Sequence, residues 1–327
     1  MIVHDVSYGR IEITDPLVIE LLNTKPMQRL KRISQHGAWK FIKPSIKLSR
    51  FDHSIGVYHL LGFFGASRKE RLAGLLHDIA HTAFSHVGDY VFGRCEDQEY
   101  HEEIVEKIMI HSEIPEILEN AGFDAIELLD TRRFSLLERP IPDLCADRLD
   151  YFFKDAVLFG ICTPEDIRFF LGNLKVWSNE IIVNDPEAAR KMALCFLECA
   201  EKYWASPVQA VSYQLLADSI RIAMKKNLMR IDDLLKTDDE VWEILKNSGD
   251  PEIHNKISLL SPDINAVIDE KNYEYYVKTK ARFIDPKILA EGKIMRVSDM
   301  FEEIKHRIEN FRTRVSQGYY VLSLIHI

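Results

Sequence analysis

The sequence contains few of the features by which several protein classes are recognised. Only five of its 327 residues are cysteine, and none of them forms a Cys-X-X-Cys pair, which fits a reducing compartment better than a disulfide framework. No stretch approaches the roughly 18–20 consecutive apolar residues of a membrane helix. The start MIVHDVSYGR lacks the basic and apolar pattern of a signal peptide. We therefore expect a cytoplasmic protein that does not enter a membrane.

The chain also lacks low-complexity segments, internal repeats and linkers rich in glycine, serine or proline. Its apolar share of 46% and charged share of 28% are those of a folded globular protein and exclude intrinsic disorder. A chain of this length forms one large domain or about two domains. Because no linker is present, we expect two closely docked lobes: a core over residues 1–170 and a mainly helical C-terminal lobe over residues 171–327.

The chain has fewer basic than acidic residues, with 42 Lys and Arg against 51 Asp and Glu, which gives a net charge of −9. This balance argues against a long nucleic acid as the partner. One segment departs from it, because residues 25–50 contain eight Lys or Arg and no Asp or Glu. Such a run is ordinarily a solvated helix and loop, but this one leads directly into Arg50 and His53 and therefore also suits a small anionic ligand.

Apolar residues at helical spacing dominate the rest of the pattern. We expect helices over residues 50–64, 69–80 and 186–204. The acidic stretch 232–252 has apolar residues at the same spacing, which predicts a solvated amphipathic helix.

A few short stretches favour strands instead. The residues around Tyr8-Gly9 and the segment 174–185 are typical of β-hairpins. The final nine residues, YYVLSLIHI (319–327), are apolar, and whether they form a strand or a non-native end stays open. The sequence thus predicts an all-α fold with one or two short β-hairpins.

Histidines and carboxylates are concentrated in three short segments. They are RFDHS (50–54), LLHDIAHTAFSHVGD (75–89) and YHEE (100–103). Imidazole and carboxylate groups together suit a divalent transition metal. On a helix the adjacent His77 and Asp78 point about 100° apart, so other helices must supply further ligands. His53 and an aspartate of segment 147–151 are the candidates.

The order of these residues resembles the H…HD…D signature of the HD-domain metal-dependent phosphohydrolase superfamily. Within it, the chain looks most similar to the dNTP triphosphohydrolase-like branch. The matching segments lie in the same order over roughly residues 1–290 and are NTKPMQRLKRISQHG (23–37), SRFDHSIGVYHLLG (49–62), HDIAHTAFSH (77–86), ADRLDYFFKDAVLFG (146–160) and, more weakly, ARFIDPKIL (281–289). The resemblance implies an HD-domain helical fold and phosphohydrolase activity.

By this resemblance, four residues match the metal ligands of the family. They are His53, His77, Asp78 and Asp147. Two imidazoles and two carboxylates leave positions on the ion for water and a phosphate oxygen, and the ion lowers the pKa of the bound water. The implied cofactor is one divalent ion, and Mn, Fe, Mg, Co, Ni and Zn all suit the set. A second ion held by additional histidines is an alternative.

A second group matches the catalytic residues of the triphosphohydrolase-like branch. It consists of His81, His86, Asp89 and His101. The resemblance implies that His101 is a general acid for the leaving oxygen, that Asp89 orients or charges it, and that His86 contacts the scissile phosphate. His81 follows His77 by one helical turn and is expected to face the same cleft.

Further matches concern the phosphates and the sugar of a nucleotide. Arg50 and Arg148 correspond to basic residues at the phosphates, where guanidinium groups form paired hydrogen bonds. The branch commonly has lysine at the position of Arg148. Tyr151, Asp155 and Gln35 correspond to residues that lie against the sugar.

Two places depart from the branch. His36 stands where leucine is usual. The helix start WASPVQAVSYQ (204–214) is uncharged where the branch has a basic or histidine-bearing motif. The nearest cations for a terminal phosphate are then Arg221, Lys225 and Lys226. A different phosphoester, such as a monophosphate or a diphosphate, stays open as the substrate.

The resemblance implies hydrolysis of a deoxynucleoside triphosphate to deoxynucleoside and triphosphate. One alternative is an HD phosphatase or phosphodiesterase that acts on a nucleoside monophosphate, a cyclic nucleotide or a nucleic-acid end. Another is a nucleotide sensor without catalytic activity. A nucleotide is the expected substrate, and the family, whose members often assemble as dimers or higher oligomers, also implies a homo-oligomer.

Overall fold

The computed structural model describes residues 1–96, 98–290 and 292–323. The helices are α1 (Pro16–Leu22), α2 (Lys25–Leu30), α3 (Trp39–Ile42), α4 (Arg50–Phe63), α5 (Arg68–Leu76), α6 (Val87–Val91), α7 (Tyr100–Ile110), α8 (Ile114–Asn120), α9 (Ala125–Leu129), α10 (Ala146–Leu158), α11 (Pro164–Asn173), α12 (Pro186–Cys199), α13 (Pro207–Lys225), α14 (Asp238–Lys246), α15 (Pro251–Ser258), α16 (Val297–Met300) and α17 (Glu302–Ser316). The strands are β1 (Ile2–Asp5), β2 (Gly9–Glu12), β3 (Leu174–Trp177), β4 (Glu180–Val183), β5 (Ala266–Ile268), β6 (Tyr275–Val277), β7 (Lys287–Ala290), β8 (Lys293–Arg296) and β9 (Tyr319–Ser323).

The N-terminal hairpin that the sequence predicts is present. Strands β1 and β2 pair in antiparallel fashion, with Asp5 opposite Gly9. Gly9 has a positive φ of 71°, which residues with a Cβ adopt only at a cost. The turn presents Tyr8, whose hydroxyl donates a hydrogen bond to Asp150 Oδ1 at 2.9 Å. The hairpin therefore covers one side of α10.

Serine residues fix where helices α4 and α5 begin. Ser49 accepts a hydrogen bond from the backbone N–H of Asp52, whose carboxylate accepts one from Ser49 N in return. This reciprocal capping box satisfies two backbone donors at the start of α4. Ser67 caps α5 by accepting from the backbone N–H of Glu70.

The helix predicted over residues 69–80 ends earlier than its apolar spacing indicates. Helix α5 stops at Leu76, and residues 77–80 form turns. A turn can bring two adjacent side chains to one place, whereas a helix points them about 100° apart. His77 and Asp78 can therefore both reach the cleft described below.

Helices α4 and α10 approach each other closely at Gly56. A Cβ at this position would collide with Asp150 and Lys154 of α10. Glycine is therefore required here by space and not by backbone conformation. The close approach brings His53 of α4 beside Asp147 of α10.

The prediction of an all-α fold is only partly correct. Helices account for about 54% of the structure, but the described strands form three small sheets. The hairpin predicted at 174–185 is present as β3 and β4, and β4 also pairs in parallel with β7, which continues into β8. Strands this short carry little periodicity, and their partners lie far along the chain, so the local pattern does not reveal them.

The apolar C-terminal end forms a strand as far as it is described. Strand β9 lies between β5 and β6, and residues 324–327 of the predicted segment lie outside the described residues. Buried apolar side chains form one cluster from Ile11 to Val321, and the division into lobes at residue 170 stays a prediction. None of the described helices has the length and apolar character that a membrane crossing requires.

The acidic stretch 232–252 is not the single solvated helix that the sequence predicts. It contains α14 and the start of α15, which are separate helices. Asp238 is fully buried, and its carboxylate accepts hydrogen bonds from Ser34 N at 2.9 Å and Phe84 N at 2.6 Å. Lys40 Nζ lies 3.4 Å from the same carboxylate. The basic segment 25–50 is thereby partly neutralised within the fold.

Candidate metal centre and active-site cleft

The four predicted metal ligands meet at one place. His53 comes from the first turn of α4 and Asp147 from the first turn of α10, while His77 and Asp78 come from the end of α5 and the turn after it. His53 Nε2 lies 2.9 Å from Asp147 Oδ1 and 3.7 Å from Asp78 Oδ2. His77 Nε2 lies 3.3 Å from Asp78 Oδ1 and 3.5 Å from Asp147 Oδ1. We call these four residues the ligand cluster.

The far side of each imidazole in the cluster is held by the protein. His53 Nδ1 donates a hydrogen bond to Asp150 Oδ2 at 2.7 Å, and His77 Nδ1 donates to the Gly74 carbonyl at 2.8 Å. Each Nε2 therefore faces the cluster, as in metal-ligating histidines, and offers a lone pair there once it carries no proton. His77 Nε2 is buried and makes no hydrogen bond to a described residue. An imidazole nitrogen in this state beside two carboxylates fits a divalent cation.

The charges of the ligand cluster depend on each other. Burial raises the pKa of Asp78, but Arg50, whose guanidinium lies 2.8 Å away, and the nearby histidines hold that pKa well below its usual value. Burial lowers the pKa of His53, yet its hydrogen bonds to Asp147 and Asp150 outweigh this effect and raise the pKa to about 9. The cluster therefore holds protons that a bound cation would displace.

The three predicted catalytic histidines line the same cleft beside the cluster. His81 and His101 stack with their ring centroids 3.9 Å apart, and His81 Nε2 lies 3.2 Å from Asp78 Oδ1. The ring of His86 stands edge-on to that of His81 at 5.0 Å. The structure thus brings together residues from two segments, 77–86 and α7.

Asp89 does not make the contact with His101 that the sequence predicts. Its Oδ2 accepts a hydrogen bond from His86 Nδ1 at 3.0 Å, and its Oδ1 accepts one from Tyr100 N at 2.9 Å. The reason is local, because His86 precedes Asp89 by one turn and the N-terminus of α7 takes the second oxygen. Asp89 therefore orients His86 and affects His101 only through its charge.

All three cleft histidines are neutral at neutral pH in the free protein. Burial lowers the pKa of His81 and His86 well below its usual value, and the positive charge of Arg50 lowers it further. For His101 burial acts first and the neighbouring His81 second. A general-acid role for His101 thus requires a proton that anionic phosphates bound beside it would stabilise.

The two predicted phosphate-binding arginines line the cleft and are already fixed. Arg50 is buried, and it donates from Nη1 to Asp78 at 2.8 Å and from Nε to Ser85 Oγ at 2.9 Å. Arg148 donates to the Arg139 carbonyl at 3.0 Å. A guanidinium that is held in place loses less conformational entropy when it binds a phosphate.

The predicted sugar-binding residues also line the cleft, and Asp155 already has partners there. Its two oxygens accept hydrogen bonds from His36 Nε2 and Trp204 Nε1, both at 2.7 Å. Trp204 reaches this place because α12 continues as a π-helical turn that ends at this residue. Tyr151 stands edge-on to Trp204, with ring centroids 5.3 Å apart, and Gln35 lines the cavity beside them.

Four cations of the cleft wall were missed from the sequence, namely Arg132, Arg139, Lys280 and Arg282. Arg282 Nη2 donates to Gln98 Oε1 at 2.5 Å and lies 3.4 Å from His86 Nε2. Lys280 lines the same wall. Arg282 belongs to the segment ARFIDPKIL, and the weak match of this segment to the family could have pointed to it. Nothing in the local sequence pattern marks Lys280.

The cations that the sequence offered for a terminal phosphate have other partners. Arg221 Nε donates to the Val91 carbonyl at 2.9 Å, and Lys226 Nζ pairs with Asp250 at 2.5 Å. Neither of them, nor Lys225, is among the described residues that line the cleft. The packing of α13 on α6 uses Arg221 for structure, which local sequence does not show.

The cleft is a cavity of about 1090 Å³. It is lined by His77, Asp78 and Asp147 of the ligand cluster, by cations, and by aromatic and amide side chains. Glu138 lines the wall close to the cluster, where burial, followed by the charge of Asp147, raises its pKa to about 7. A cavity of this size accommodates a nucleotide.

Comparisons with known proteins bear on the same residues. The HD domain family model matches residues 50–154, which contain the whole ligand cluster. The uncharacterized protein YdhJ of Bacillus subtilis is 36% identical over 322 residues and covers 98% of each chain. The metal-dependent phosphohydrolase cns2 of Cordyceps militaris is 28% identical over 300 residues, 90% of this chain and 86% of that protein.

Two further similarities are partial or distant. The deoxynucleoside triphosphate triphosphohydrolase SAMHD1 homolog of Dictyostelium discoideum is 29% identical over 213 residues, 55% of this chain and 40% of that protein. The crystal structure of a phosphohydrolase from Bacteroides thetaiotaomicron has a TM-score of 0.72 at 18% identity, over 98% of this chain and 99% of that chain, and shows a likeness of fold. Taken with the converging ligand cluster, the family match and the near-full-length relatives place the chain in the HD-domain superfamily of metal-dependent phosphohydrolases.

Proposed function

We propose that the protein hydrolyses deoxynucleoside triphosphates to deoxynucleoside and triphosphate. The observation that carries the proposal is the lining of one cavity. It combines His77, Asp78 and Asp147 of the ligand cluster with cations and with aromatic and amide groups. The cations are Arg50, Arg132, Arg139, Arg148, Lys280 and Arg282. A nucleotide with several phosphates requires cations for the phosphates and a surface for the nucleoside within one cleft, and the partial similarity to a triphosphohydrolase supports the same substrate class.

The ligand cluster has the donor set for one divalent ion. A bound ion would be held by His53, His77, Asp78 and Asp147. When bound, it lowers the pKa of a coordinated water and polarises the phosphoryl group. The contacts of His53 to Asp150 and of His77 to Gly74 keep both imidazole Nε2 atoms turned toward the cluster. The ion itself stays unassigned among Mn, Fe, Mg, Co, Ni and Zn, because this donor set accepts all of them.

The remaining cleft residues bind the phosphates and move the proton. Arg50 uses two of its donors within the protein and has others left for a phosphate oxygen. His86, oriented by Asp89, lies beside Arg282 on the wall that would contact the phosphates. His101 gives a proton to the nucleoside oxygen that leaves, after the bound phosphates have raised its pKa.

Incubation of the purified protein with each dNTP over a panel of the six metals tests the proposal. Ion-exchange chromatography is expected to resolve deoxynucleoside and tripolyphosphate as the products. Asp147→Asn removes a ligand and is expected to abolish turnover, whereas Asp239→Asn changes an exposed carboxylate and is expected to leave it intact. Release of orthophosphate alone, or no turnover of any dNTP with any metal, contradicts the proposal.

A phosphatase or phosphodiesterase that acts on a smaller phosphoester is the second candidate, and two observations favour it. The start of α13 brings no cation to the cleft, and Asp155 already accepts two short hydrogen bonds. The same incubation with nucleoside monophosphates and cyclic nucleotides separates the candidates. Turnover of these compounds without turnover of dNTPs favours the smaller substrate.

A further inference from the structure

The loop that carries four residues of the cleft contains two strained backbone positions. It comprises residues 77–86 between α5 and α6, and we call it the histidine loop. Phe84 and Ser85 within it have positive φ angles of 59° and 52°. Residues with a Cβ adopt this left-handed region only at a cost, and a bulky residue such as phenylalanine does so rarely. Contacts from the surrounding structure must therefore hold the loop in this conformation.

Two of these contacts come from a segment that is remote in the sequence. Residues 231–238, which we call the clamp segment, form a 3₁₀ helix and the turn into α14. The Leu234 carbonyl accepts a hydrogen bond from Ala83 N at 2.8 Å. Asp238 Oδ1 accepts one from Phe84 N at 2.6 Å. The clamp segment thus binds the backbone at the first strained position and at the residue before it.

The second oxygen of Asp238 connects the loop to a phosphate-binding arginine. Oδ2 accepts a hydrogen bond from Ser34 N at 2.9 Å, and the Ser34 carbonyl accepts one from Ser85 Oγ at 2.6 Å. Ser85 Oγ in turn accepts a hydrogen bond from Arg50 Nε at 2.9 Å. Asp238 and Ser85 are buried, so the loss of one of these bonds leaves a polar group unpaired. One carboxylate therefore supports both the loop and the segment that fixes Arg50.

Arg29 joins the histidine loop to the clamp segment at a second place. Its Nη2 donates to the carbonyl oxygens of Ile79 at 3.0 Å and His81 at 2.6 Å. Its Nη1 donates to the Lys236 carbonyl at 3.4 Å. A guanidinium presents its donors in a rigid plane, so these contacts fix the three carbonyls relative to each other. The basic segment and the acidic stretch of the sequence thus meet at the histidine loop.

We propose that Asp238 and Arg29 hold the histidine loop in the conformation that directs His86 and Arg50 to the phosphates of the substrate. The proposal rests on the proposed hydrolysis of a nucleotide and names two positioning residues for it. They act through the loop, since neither is among the described residues that line the cleft. Phosphates bound to His86 and Arg50 favour the same loop conformation. If the contacts are weakened, part of the binding energy of the substrate is used to restore the loop.

Imidazole NMR of the metal-free protein tests the proposal without any substrate. Asp238→Asn keeps the size of the side chain but places an amino group where one oxygen accepted a backbone N–H. In protein labelled with ¹⁵N-histidine, the signals of His81 and His86 are expected to shift or split in this variant. The signal of His306, which is 65% exposed on α17, is expected to stay unchanged. A loss of global stability alone would leave all signals of the folded protein in place.

Kinetics with dATP and Mn²⁺ separates positioning from stability. Asp238→Asn is expected to raise KM about tenfold and to change kcat by less than about twofold, because the bound phosphates restore the loop. A residue that only stabilises the fold would reduce the fraction of folded enzyme, so that kcat would fall at an unchanged KM. Asp239→Asn is the matched control, since this neighbouring side chain is 65% exposed.

Arg29→Met removes the donors to the loop while it keeps an unbranched side chain. It is expected to change the signals of the same two histidines and to raise the KM for dATP. Arg32→Met is its control, because Arg32 lies in the same basic segment and its side chain is 55% exposed. Arg29→Met replaces Asp238→Asn if that variant does not fold.

Two results overturn the proposal. One is that the imidazole signals of His81 and His86 are unchanged in both Asp238→Asn and Arg29→Met, and the other is an unchanged KM for dATP in both variants. Shifted signals in a protein that hydrolyses no dNTP retain the positioning of the loop and reject the proposed function instead.

Discussion

Asp150 Oδ2 lies 2.7 Å from His53 Nδ1, on the side of the imidazole that faces away from the ligand cluster. The same carboxylate accepts a hydrogen bond from the Tyr8 hydroxyl at 2.9 Å and from Lys154 Nζ at 2.8 Å. Lys154 also lies 3.2 Å from Asp5. The N-terminal hairpin, which is remote from the histidine segments in sequence, thus supports the orientation of one metal ligand.

Asp150→Asn is therefore expected to weaken metal binding about 10–100-fold, the usual effect of losing the outer partner of a ligating histidine. Competition with a chromophoric chelator measures the affinity, and circular dichroism confirms that the variant is folded. Tyr8→Phe serves as the matched change, because it removes one hydrogen bond from the same carboxylate without removing the contact to His53. Wild-type metal affinity in Asp150→Asn would show that Asp150 has no role in holding the ligand.

Metal binding is expected to strengthen as the pH rises from about 6 to about 9. The pKa of His53 is raised to about 9 in the metal-free protein, so an ion that binds below that pH must displace a proton. The same chelator competition, repeated across this range, measures the dependence. A metal affinity that stays constant over this pH range would contradict the inference that the ligand cluster holds protons in the metal-free protein.

The folding stability of the metal-free protein is expected to fall as the pH rises, whereas its metal affinity is expected to increase. A histidine pKa raised from 6.5 to about 9 stabilises the fold fully below pH 6.5, and this contribution is lost as the pH rises through 9. Thermal denaturation of metal-free protein is therefore expected to show a decreasing Tm between these values. Saturating metal should remove most of this decrease, since the ion then occupies the proton's place.

Asp238→Ala is expected to lower the free energy of unfolding by about 1–3 kcal/mol, because it leaves the backbone N–H groups of Ser34 and Phe84 unpaired. Urea denaturation measures the change. The neighbouring Asp239 provides the control, since its side chain is 65% exposed and Asp239→Ala should stay within about 0.5 kcal/mol of wild type. Equal effects of the two substitutions would rule out the buried role of Asp238.

Arg282→Gln is expected to raise the KM for a nucleoside triphosphate about tenfold, because a hydrogen bond to a charged phosphate is lost. Metal affinity should not change, since Arg282 contacts His86 and Gln98 and none of the four ligands. Lys278→Gln is the comparison, as Lys278 pairs with the exposed Glu96 at 3.2 Å. An unchanged KM in Arg282→Gln would remove this arginine from the phosphate-binding surface.

The ligand cluster could be predicted from the sequence because the order and spacing of its residues match a known signature. Helix α4, which carries His53, also follows apolar periodicity and begins at the predicted residue. Even the error at the end of α5 did not affect the prediction, since a turn also brings His77 and Asp78 to the cluster. At these positions the apolar spacing of the sequence is compatible with the geometry of the ligand cluster.

Pairings between remote side chains could not be predicted in this way. Asp155 contacts His36 and Trp204, which are 119 and 49 residues away, and Asp238 is buried by a segment 204 residues earlier. The sheet that contains β4 and β7 is also formed by strands far apart in the chain. Apolar periodicity indicates the face of a helix or strand on which a residue lies. The contacts named here depend instead on how those faces pack against each other.

Hydrolysis of dATP in ¹⁸O-labelled water by the Mn²⁺-loaded protein, followed by ³¹P NMR and mass spectrometry, tests the central claim most directly. Attack of water at the α-phosphorus predicts one ¹⁸O atom in tripolyphosphate, unlabelled deoxyadenosine, and no product with Asp147→Asn. Label in deoxyadenosine, orthophosphate as the sole product, or full activity of Asp147→Asn would contradict the account.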